Sequence, residues 1–195
     1  MKSTGKSELN SAAHNFSHVN IAKPSPGYAV SKKKNIAYPE NLRWKCVRCA
    51  ICCGDTEKRA RHILILASEA RAIAGRTGMR IEEFAGRLKD AEPYEFEIRK
   101  NNNRCMFLNG VSCRIYSKRP LVCRFYPFLL KRSESGTLEF ELPEHECQGL
   151  GRGRKLRQGY FVRLCRMALK KLAPHFHQWG VKRSEVFFPN RNNLP

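Results

Sequence analysis

A chain of 195 residues, 42% of them hydrophobic, is long enough for one compact domain with tails. No apolar run approaches the roughly 20 residues that a membrane helix needs, and the polar first residues lack the apolar region of a secretory signal. We therefore expect a cytoplasmic protein with no membrane span.

The net charge of +20 is spread unevenly along the chain. Residues 1–45 hold 8 basic and 2 acidic residues, residues 46–147 hold 18 and 14, and residues 148–195 hold 11 and 1. The two flanks thus carry most of the excess. This distribution predicts non-specific contact of the flanks with nucleic acid or with an acidic partner, and the alternative is a solvated basic surface without a partner.

Residues 1–43 are predicted to form a basic, flexible N-terminal arm. Polar residues dominate this stretch, Pro24 and Pro26 interrupt it, and SKKK is a basic run. Such a composition buries too little apolar surface to offset the entropy lost on ordering. The cysteine-bearing domain is expected to span residues 44–150.

The first half of that domain is predicted to contain one strand followed by two helices. The apolar run HILILAS at residues 62–68 predicts the strand, and Ser68 is the expected cap of a helix that Gly75 and Gly78 end. The stretch MRIEEFAGRLKDAEP, residues 79–93, has one apolar face at helical spacing and predicts a second helix.

Short strands and turns are predicted for the second half. YEFEIRK at residues 94–100 predicts a strand, and Asn109-Gly110 between β-prone runs predicts a hairpin. Residues 117–128, SKRPLVCRFYPF, favour a capped turn or a short helix, with Ser117 as the cap and Pro120 in the first turn, and residues 137–142 favour a strand.

Residues 151–195 are predicted to form a basic amphipathic helix, from Lys155 to about Leu172, and a C-terminal tail. Apolar residues recur every four positions on one face of this helix, and basic residues occupy the other. The predicted class is α+β: a small, irregular, metal-stabilised domain with short strands, a hairpin and several helices.

Four of the nine cysteines fall within CVRCAICC, residues 46–53. The odd cysteine count and the expected reducing compartment argue against a disulfide framework and favour metal binding. The spacing Cys-x-x-Cys-x-x-Cys matches the start of the bacterial ferredoxin run, and adjacent Cys52 and Cys53 are expected to have distinct roles. The predicted metal ligands are Cys46, Cys49, Cys52, Cys53, Cys105, Cys113, Cys123 and Cys147.

Several other residues are weighed against this set. Cys165, beside the apolar stripe of the last helix, is predicted to be a free buried thiol. Among four candidate histidines, His62, His145, His175 and His177, only His145 is retained, because it lies two residues before Cys147. Asp55 is expected to cap a turn. Core packing is the first expectation for the aromatic residues near the cysteines, and Arg114, Arg119 and Arg124 are either surface charges or neighbours that lower thiol pKa values.

The cysteine pattern resembles the YkgJ-type CxxCxxCC family of zinc- or iron-chelating domains. The residues that carry the resemblance are CVRCAICC at 46–53, CMFLNGVSCRIYSKRPLVCRFYPF at 105–128, and Cys147. It covers about residues 44–149 and leaves the basic flanks outside. The resemblance implies metal binding through these cysteines and leaves zinc and iron as alternatives; some relatives are called iron–sulfur oxidoreductases.

Two functions follow as hypotheses. The first is a protein that holds an iron–sulfur cluster, most simply [4Fe–4S], for redox or modification chemistry together with a protein or redox partner. The alternative is a zinc-stabilised binding module that contacts nucleic acid or an acidic partner. No Ser/His/Asp set or carboxylate pair indicates an enzyme. Catalysis, if present, would run through the metal or an unligated cysteine, in an oxidoreductase or a component of a modification system.

Overall fold

A computed structural model describes residues 30–33, 36–133, 137–142 and 147–175 of the chain. These residues form an α+β fold with five small sheets, which confirms the predicted class. The helices are α1 Ala67–Thr77, α2 Ile81–Phe84, α3 Leu121–Phe125 and α4 Gln158–Leu172, with 3₁₀ turns at Ile51–Cys53, Tyr116–Lys118 and Ala173–His175. The strands are β1 Val30–Lys33, β2 Ile36–Pro39, β3 Arg43–Trp44, β4 Leu64–Ile65, β5 Ala85–Arg87, β6 Phe96–Ile98, β7 Lys100–Asn101, β8 Arg104–Cys105, β9 Leu108–Asn109, β10 Ser112–Cys113, β11 Leu129–Arg132, β12 Leu138–Glu141 and β13 Leu150–Lys155.

One half of the fold is a four-stranded sheet in the order β1-β2-β12-β11, covered by α4. Strands β2 and β12 run parallel, and the other pairs are antiparallel. Aromatic rings fill the space between sheet and helix: Phe161 stacks on Tyr38 with centroids 4.8 Å apart and meets the tilted ring of Phe140 at 4.9 Å. We call this cluster the sheet-side core; it contains Ile36, Tyr38, Leu42, Leu121, Phe125, Phe128, Phe140, Phe161, Val162, Leu164, Cys165 and Ala168.

The other half is built on the small sheet β4-β6-β5 and on α1. Each of its strands has only two or three residues, so the backbone ladders are short. Beside this sheet lie two hairpins, β7–β8 and β9–β10, with two paired residues on each strand. We call its apolar cluster the cysteine-side core; it contains Ile63, Ile65, Ala70, Ile73, Phe84, Ala85, Ile98, Cys105, Phe107 and Ile115, with Cys53, Cys113 and Cys123 packed against it.

The buried carboxylate of Glu69, on α1, joins the two halves. One of its oxygens accepts a hydrogen bond from the backbone N–H of Leu121, at 2.8 Å, and pairs with Lys171 Nζ on α4, at 3.0 Å. The other oxygen accepts from the N–H of Leu66. A charge buried at this depth is tolerated because all its partners are donors.

Local signals in the sequence predicted several elements correctly. The hairpin at Asn109-Gly110, the strand at Leu138–Glu141 and the short helix that follows Pro120 are confirmed. The strand predicted at residues 62–68 is present but limited to Leu64–Ile65.

Three helix boundaries were predicted wrongly, whereas Gly78 ends α1 as predicted. Helix α1 begins at Ala67, where Glu69 rather than Ser68 caps it, and it passes through Gly75 to end before Gly78, whose φ is +74°. Helix α2 ends at Phe84, because Ala85–Arg87 pairs with β6. Helix α4 begins at Gln158 instead of Lys155, because the preceding residues form β13.

The predicted N-terminal arm includes residues that belong to the folded domain. Strand β2 is buried along its whole length, and Ile36, Tyr38 and Leu42 are part of the sheet-side core. The arm prediction is therefore wrong for residues 36–42, while residues 1–29 lie outside the described part of the chain. None of the described helices is long and apolar enough to cross a membrane.

Candidate metal centre

The loop of residues 46–53 brings its cysteines to one side by two left-handed residues. Arg48 and Ala50, which stand between the cysteines, have φ values of 56° and 61°. Such φ values are uncommon outside glycine and reverse the local direction of the chain. Cys53 N–H then donates to Ala50 O at 2.9 Å, which closes the 3₁₀ turn Ile51–Cys53.

Two hairpins supply the next cysteines. Asn102 and Asn103 take φ values of 48° and 60° in the turn between β7 and β8, and Cys105 follows as the last residue of β8. Gly54 lies so close to this hairpin that a Cβ there would stand 3.0 Å from Asn103 O, so glycine permits the loop to pack against it. Cys113 ends the neighbouring hairpin at β10.

Cys123 lies on α3, whose position is set by Glu69. The carboxylate of Glu69 accepts the N–H of Leu121, the first residue of that helix, and this fixes the turn that carries the cysteine. The buried residues Leu121 and Phe125 on either side belong to the sheet-side core, whereas Cys123 itself packs against the cysteine-side core. Helix α3, which carries Cys123, is thus held by both halves of the fold.

Cys147 is tied back to the start of the first loop. Its Sγ accepts a hydrogen bond from Trp44 Nε1 at 3.3 Å, and Lys45 N–H donates to Gly149 O at 3.1 Å. A Cβ on Gly149 would stand 2.4 Å from Lys45 O, so only glycine allows this approach. The first and last of the predicted ligands are therefore neighbours in space.

All eight cysteines that the sequence predicts as ligands line a single cavity of about 210 Å³. Cys165 is not among the lining residues; it is buried in the sheet-side core, as predicted, where burial raises the pKa of its thiol to about 12. Within the described residues, no three His, Cys, Asp or Glu side chains converge at a distance suited to one metal ion. The sulfurs thus surround a space rather than a point.

The adjacent cysteines are close to each other. Cys52 Sγ and Cys53 Sγ are 3.9 Å apart and share a hydrogen bond, and both face the cavity. Two sulfurs bound to one tetrahedral ion at about 2.3 Å lie about 3.8 Å apart. The pair therefore has the spacing of two ligands to one metal, and the distinct roles expected for Cys52 and Cys53 stay a prediction.

Four of the thiols that line the cavity, those of Cys52, Cys105, Cys113 and Cys123, have raised pKa values. The hydrogen bond with Cys53, followed by burial, raises the pKa of Cys52. Burial is the main cause for the others, raising the pKa of Cys123 to about 12 and those of Cys105 and Cys113 above their usual range. Thiolate ligands must lose these protons, so metal binding at this cavity releases protons to solvent.

Cationic side chains stand beside the thiols. The guanidinium of Arg61 opposes the pKa rise of both Cys52 and Cys123, and its Nε donates to Cys52 O at 3.2 Å. Arg61 lies over the Tyr126 ring at 5.5 Å, and Arg119 lies over the Tyr116 ring at 4.0 Å. Within the described residues, Nη2 of Arg61 and Nε of Arg119 are buried without a hydrogen-bond partner. A bound thiolate cluster, which carries negative charge, fits this surplus of buried cationic donors.

Asp55 fixes the backbone near Arg61. Its carboxylate accepts from Arg61 N–H at 2.6 Å and from Lys100 Nζ at 2.8 Å. These two contacts, in that order, lower the pKa of the Asp55 carboxyl. Asp55 therefore closes a turn, as expected. Arg61, Lys100 and Glu69 were not among the residues predicted for the site, although Arg61 follows the cysteine cluster closely in RARH.

The other residues considered for the site differ in whether they line the cavity. His62 is exposed and bonded to Glu97, and His175 does not line the cavity; His145 and His177 lie outside the described residues. Of the three arginines near the second cysteine group, only Arg119 lines the cavity. Six aromatic residues near the cysteines were expected to pack in the core. Phe107, Phe125 and Phe128 are buried there, whereas Trp44, Tyr116 and Tyr126 line the cavity.

Eight thiols line the cavity, and no His, Asp or Glu is among its described lining residues, a composition typical of cysteine-based metal-binding domains. The chain belongs to the CxxCxxCC family, described as "Putative zinc- or iron-chelating domain", whose profile matches residues 45–148. The match includes all eight cysteines of the cavity.

A relative in Methanocaldococcus jannaschii, which bears the name Uncharacterized protein MJ0661, is 25% identical over 146 residues. The alignment covers 72% of this chain and 76% of the relative. No solved structure matches the chain.

Proposed function

We propose that the cavity holds an iron–sulfur cluster, most simply [4Fe–4S], bound by a subset of its eight thiolates for redox or modification chemistry. The supporting observation is the cavity itself: eight cysteines surround about 210 Å³. Four sulfurs that bind one zinc ion meet about 2.3 Å from a single point and enclose no such space. A polynuclear cluster needs thiolates set apart around a volume.

When bound, such a cluster supplies one-electron redox chemistry. The protein's own contribution is to hold the thiolates and to control their surroundings. Arg61 and Arg119 place positive charge beside the sulfurs, and hydrogen bonds and charge near the sulfurs set the reduction potential. Trp44 Nε1, which donates to Cys147 Sγ, is a further group of this kind.

A zinc-stabilised module is the second candidate, and one observation favours it. The 3.9 Å between Cys52 Sγ and Cys53 Sγ suits two ligands of one ion better than two corners of a cluster. In this case the metal would serve to hold the cysteine-side core together, and binding would be the function.

Anaerobic purification followed by analysis of metal and acid-labile sulfide separates the two candidates. The iron–sulfur proposal predicts brown protein with iron and sulfide in comparable amounts. Colourless protein with stoichiometric zinc and no sulfide would contradict it and support the second candidate.

A matched pair of cysteine variants tests whether the cavity is the site. Cys123→Ser removes a thiol that faces the cavity, whereas Cys165→Ser changes a thiol buried in the sheet-side core. We expect the first variant to lose metal and the second to retain it. Equal metal content in both variants would show that Cys123 is not a ligand.

A further inference from the structure

The paired strands β3 and β13 and their flanking residues form an exposed basic surface, which we call the basic ribbon. It comprises residues 43–48 and 149–157, and these two segments contain no Asp or Glu. Within the described part of the chain, none of its basic side chains forms an ion pair. The basic residues, all exposed, are Arg43, Lys45, Arg48, Arg152, Arg154, Lys155 and Arg157.

The backbone of the ribbon is held in place by contacts between its two strands. The register shifts between Leu150 and Lys155, and Gly151 and Gly153 take φ values of 74° and 76° within this irregularity. A Cβ on Gly153 would stand 2.7 Å from the Lys45 Cβ, so the strands approach closely there. Arg43 adds a hydrogen bond from its guanidinium to Gly153 O at 2.9 Å. The charges therefore project from a fixed frame.

The ribbon begins at the mouth of the metal cavity. Trp44 on β3 and Gly149 just before β13 both line that cavity. Three lining residues are also exposed apolar side chains: Val47 at 39%, Val111 at 60% and Tyr116 at 46%. We call these three the apolar rim. A strongly basic strip and an exposed apolar surface with an aromatic ring thus adjoin each other.

We propose that the basic ribbon and the apolar rim together bind single-stranded nucleic acid, with phosphates on the ribbon and bases against the rim. Proteins that bind single strands combine a basic track for the backbone with aromatic or apolar surfaces for unpaired bases. Arginine, which is five of the seven basic residues of the ribbon, contacts phosphate through two parallel hydrogen bonds.

An acidic protein is the less suitable partner for this surface. The centres of protein interfaces are depleted of charged residues, whereas interfaces with nucleic acid are strongly positive. Between Leu150 and Leu156, the ribbon contains only basic residues and glycine. On α4, by contrast, Lys171 is already paired with buried Glu69.

Binding of a labelled oligouridylate of about 16 nucleotides, measured by fluorescence anisotropy at several salt concentrations, tests the proposal. The variant Arg152→Gln, Arg154→Gln, Lys155→Gln removes three charges from the ribbon. The matched control Arg71→Gln, Arg76→Gln, Lys170→Gln removes three exposed charges from α1 and α4.

We expect the ribbon variant to bind at least tenfold more weakly and the control to bind nearly as the parent. The slope of log affinity against log salt should fall by about 2 in the ribbon variant, since each lost phosphate contact contributes about 0.7. Thermal unfolding and metal content should be unchanged in both variants, which separates this test from that of the metal centre.

Four results would overturn the proposal. Equal weakening in both variants would mean that net charge alone attracts the strand. A duplex of the same length that binds as tightly as the single strand would refute the role of the rim. Polyglutamate that displaces the oligonucleotide at equal charge concentration would identify an acidic protein as the partner. A further variant, Val111→Ser, should weaken binding without changing the salt slope, and an unchanged affinity would likewise refute the role of the rim.

Discussion

The two cores of this protein achieve order by different means. The sheet-side core has a four-stranded sheet, a 15-residue helix and several stacked aromatic rings, so apolar burial and backbone pairing can hold it together. The cysteine-side core rests on strands of two or three residues, and half-buried cysteines flank it. Short ladders give little independent stability. We therefore propose that metal ligation supplements the short strands and α1 in holding the second half together.

Removing the metal should have the largest effect, because we expect only the cysteine-side core to depend on it. We expect a chelator to lower hydrogen-exchange protection by at least about tenfold in residues 46–56 and 104–116, because metal binding and folding are coupled there. Protection of residues 36–39 and 161–169 should change much less. Hydrogen exchange read by mass spectrometry would measure both regions at once, and a uniform loss over the two cores would contradict the distinction.

Breaking the contact that joins the halves should have the next largest effect. Glu69→Gln removes the charge that pairs with Lys171 and weakens the bond to Leu121 N–H. We expect a loss of about 2–3 kcal/mol in the free energy of unfolding. Metal should also be lost faster to a chelator, since α3 carries Cys123.

Glu82→Gln, at an exposed carboxylate on α2, serves as the control and should change stability by less than about 0.5 kcal/mol. Urea unfolding of both variants in the metal-loaded form provides the measurement. Similar stability of the two variants would show that the cores do not depend on Glu69.

The smallest expected effect concerns Cys165, the thiol that belongs to the sheet-side core. Its pKa is raised to about 12 by burial, whereas an unfolded thiol titrates near about 8.5. The stability that this buried, protonated thiol contributes is fully present below the pKa of the unfolded chain. It is lost as pH rises towards the pKa of the folded protein, because only the unfolded chain releases the proton in this range.

Cys165→Ala should therefore lower the free energy of unfolding by about 1 kcal/mol at neutral pH. It should also make the decline of this free energy above about pH 9 less steep, by up to the slope that the release of about one proton causes. Unfolding of metal-loaded protein at several pH values checks this. An unchanged slope would mean that Cys165 is accessible to solvent in the folded state.

How far the sequence predicts this structure depends on the range of the interaction. The Asn109-Gly110 hairpin and the end of α1 at Gly78 follow from neighbouring residues, and both were predicted. The segment after Phe84 has helical periodicity, yet it pairs with β6 through residues that lie further along the chain. Long-range pairing of this kind leaves no local signal.

In the candidate site, too, residues with a local sequence pattern could be predicted, whereas residues placed by long-range contacts could not. The eight cysteines could be selected from the spacing within CVRCAICC and from the family resemblance, and the structure brings all of them to one cavity. Glu69 and Arg61 could not be selected, because an isolated Glu or Arg in a charged sequence carries no pattern. Their roles arise only from burial beside Leu121 and Cys52 in the folded chain.

The bonds from Trp44 to Cys147 and from Lys45 to Gly149 have a consequence for biosynthesis. They join the opening and the closing segments of the ring of thiols, 103 residues apart along the chain. A ribosome must therefore release the chain as far as Cys147 and Gly149 before the ring can close. The first four cysteines leave the ribosome about a hundred residues earlier, so we expect the complete set of thiols to assemble only after synthesis has passed Cys147.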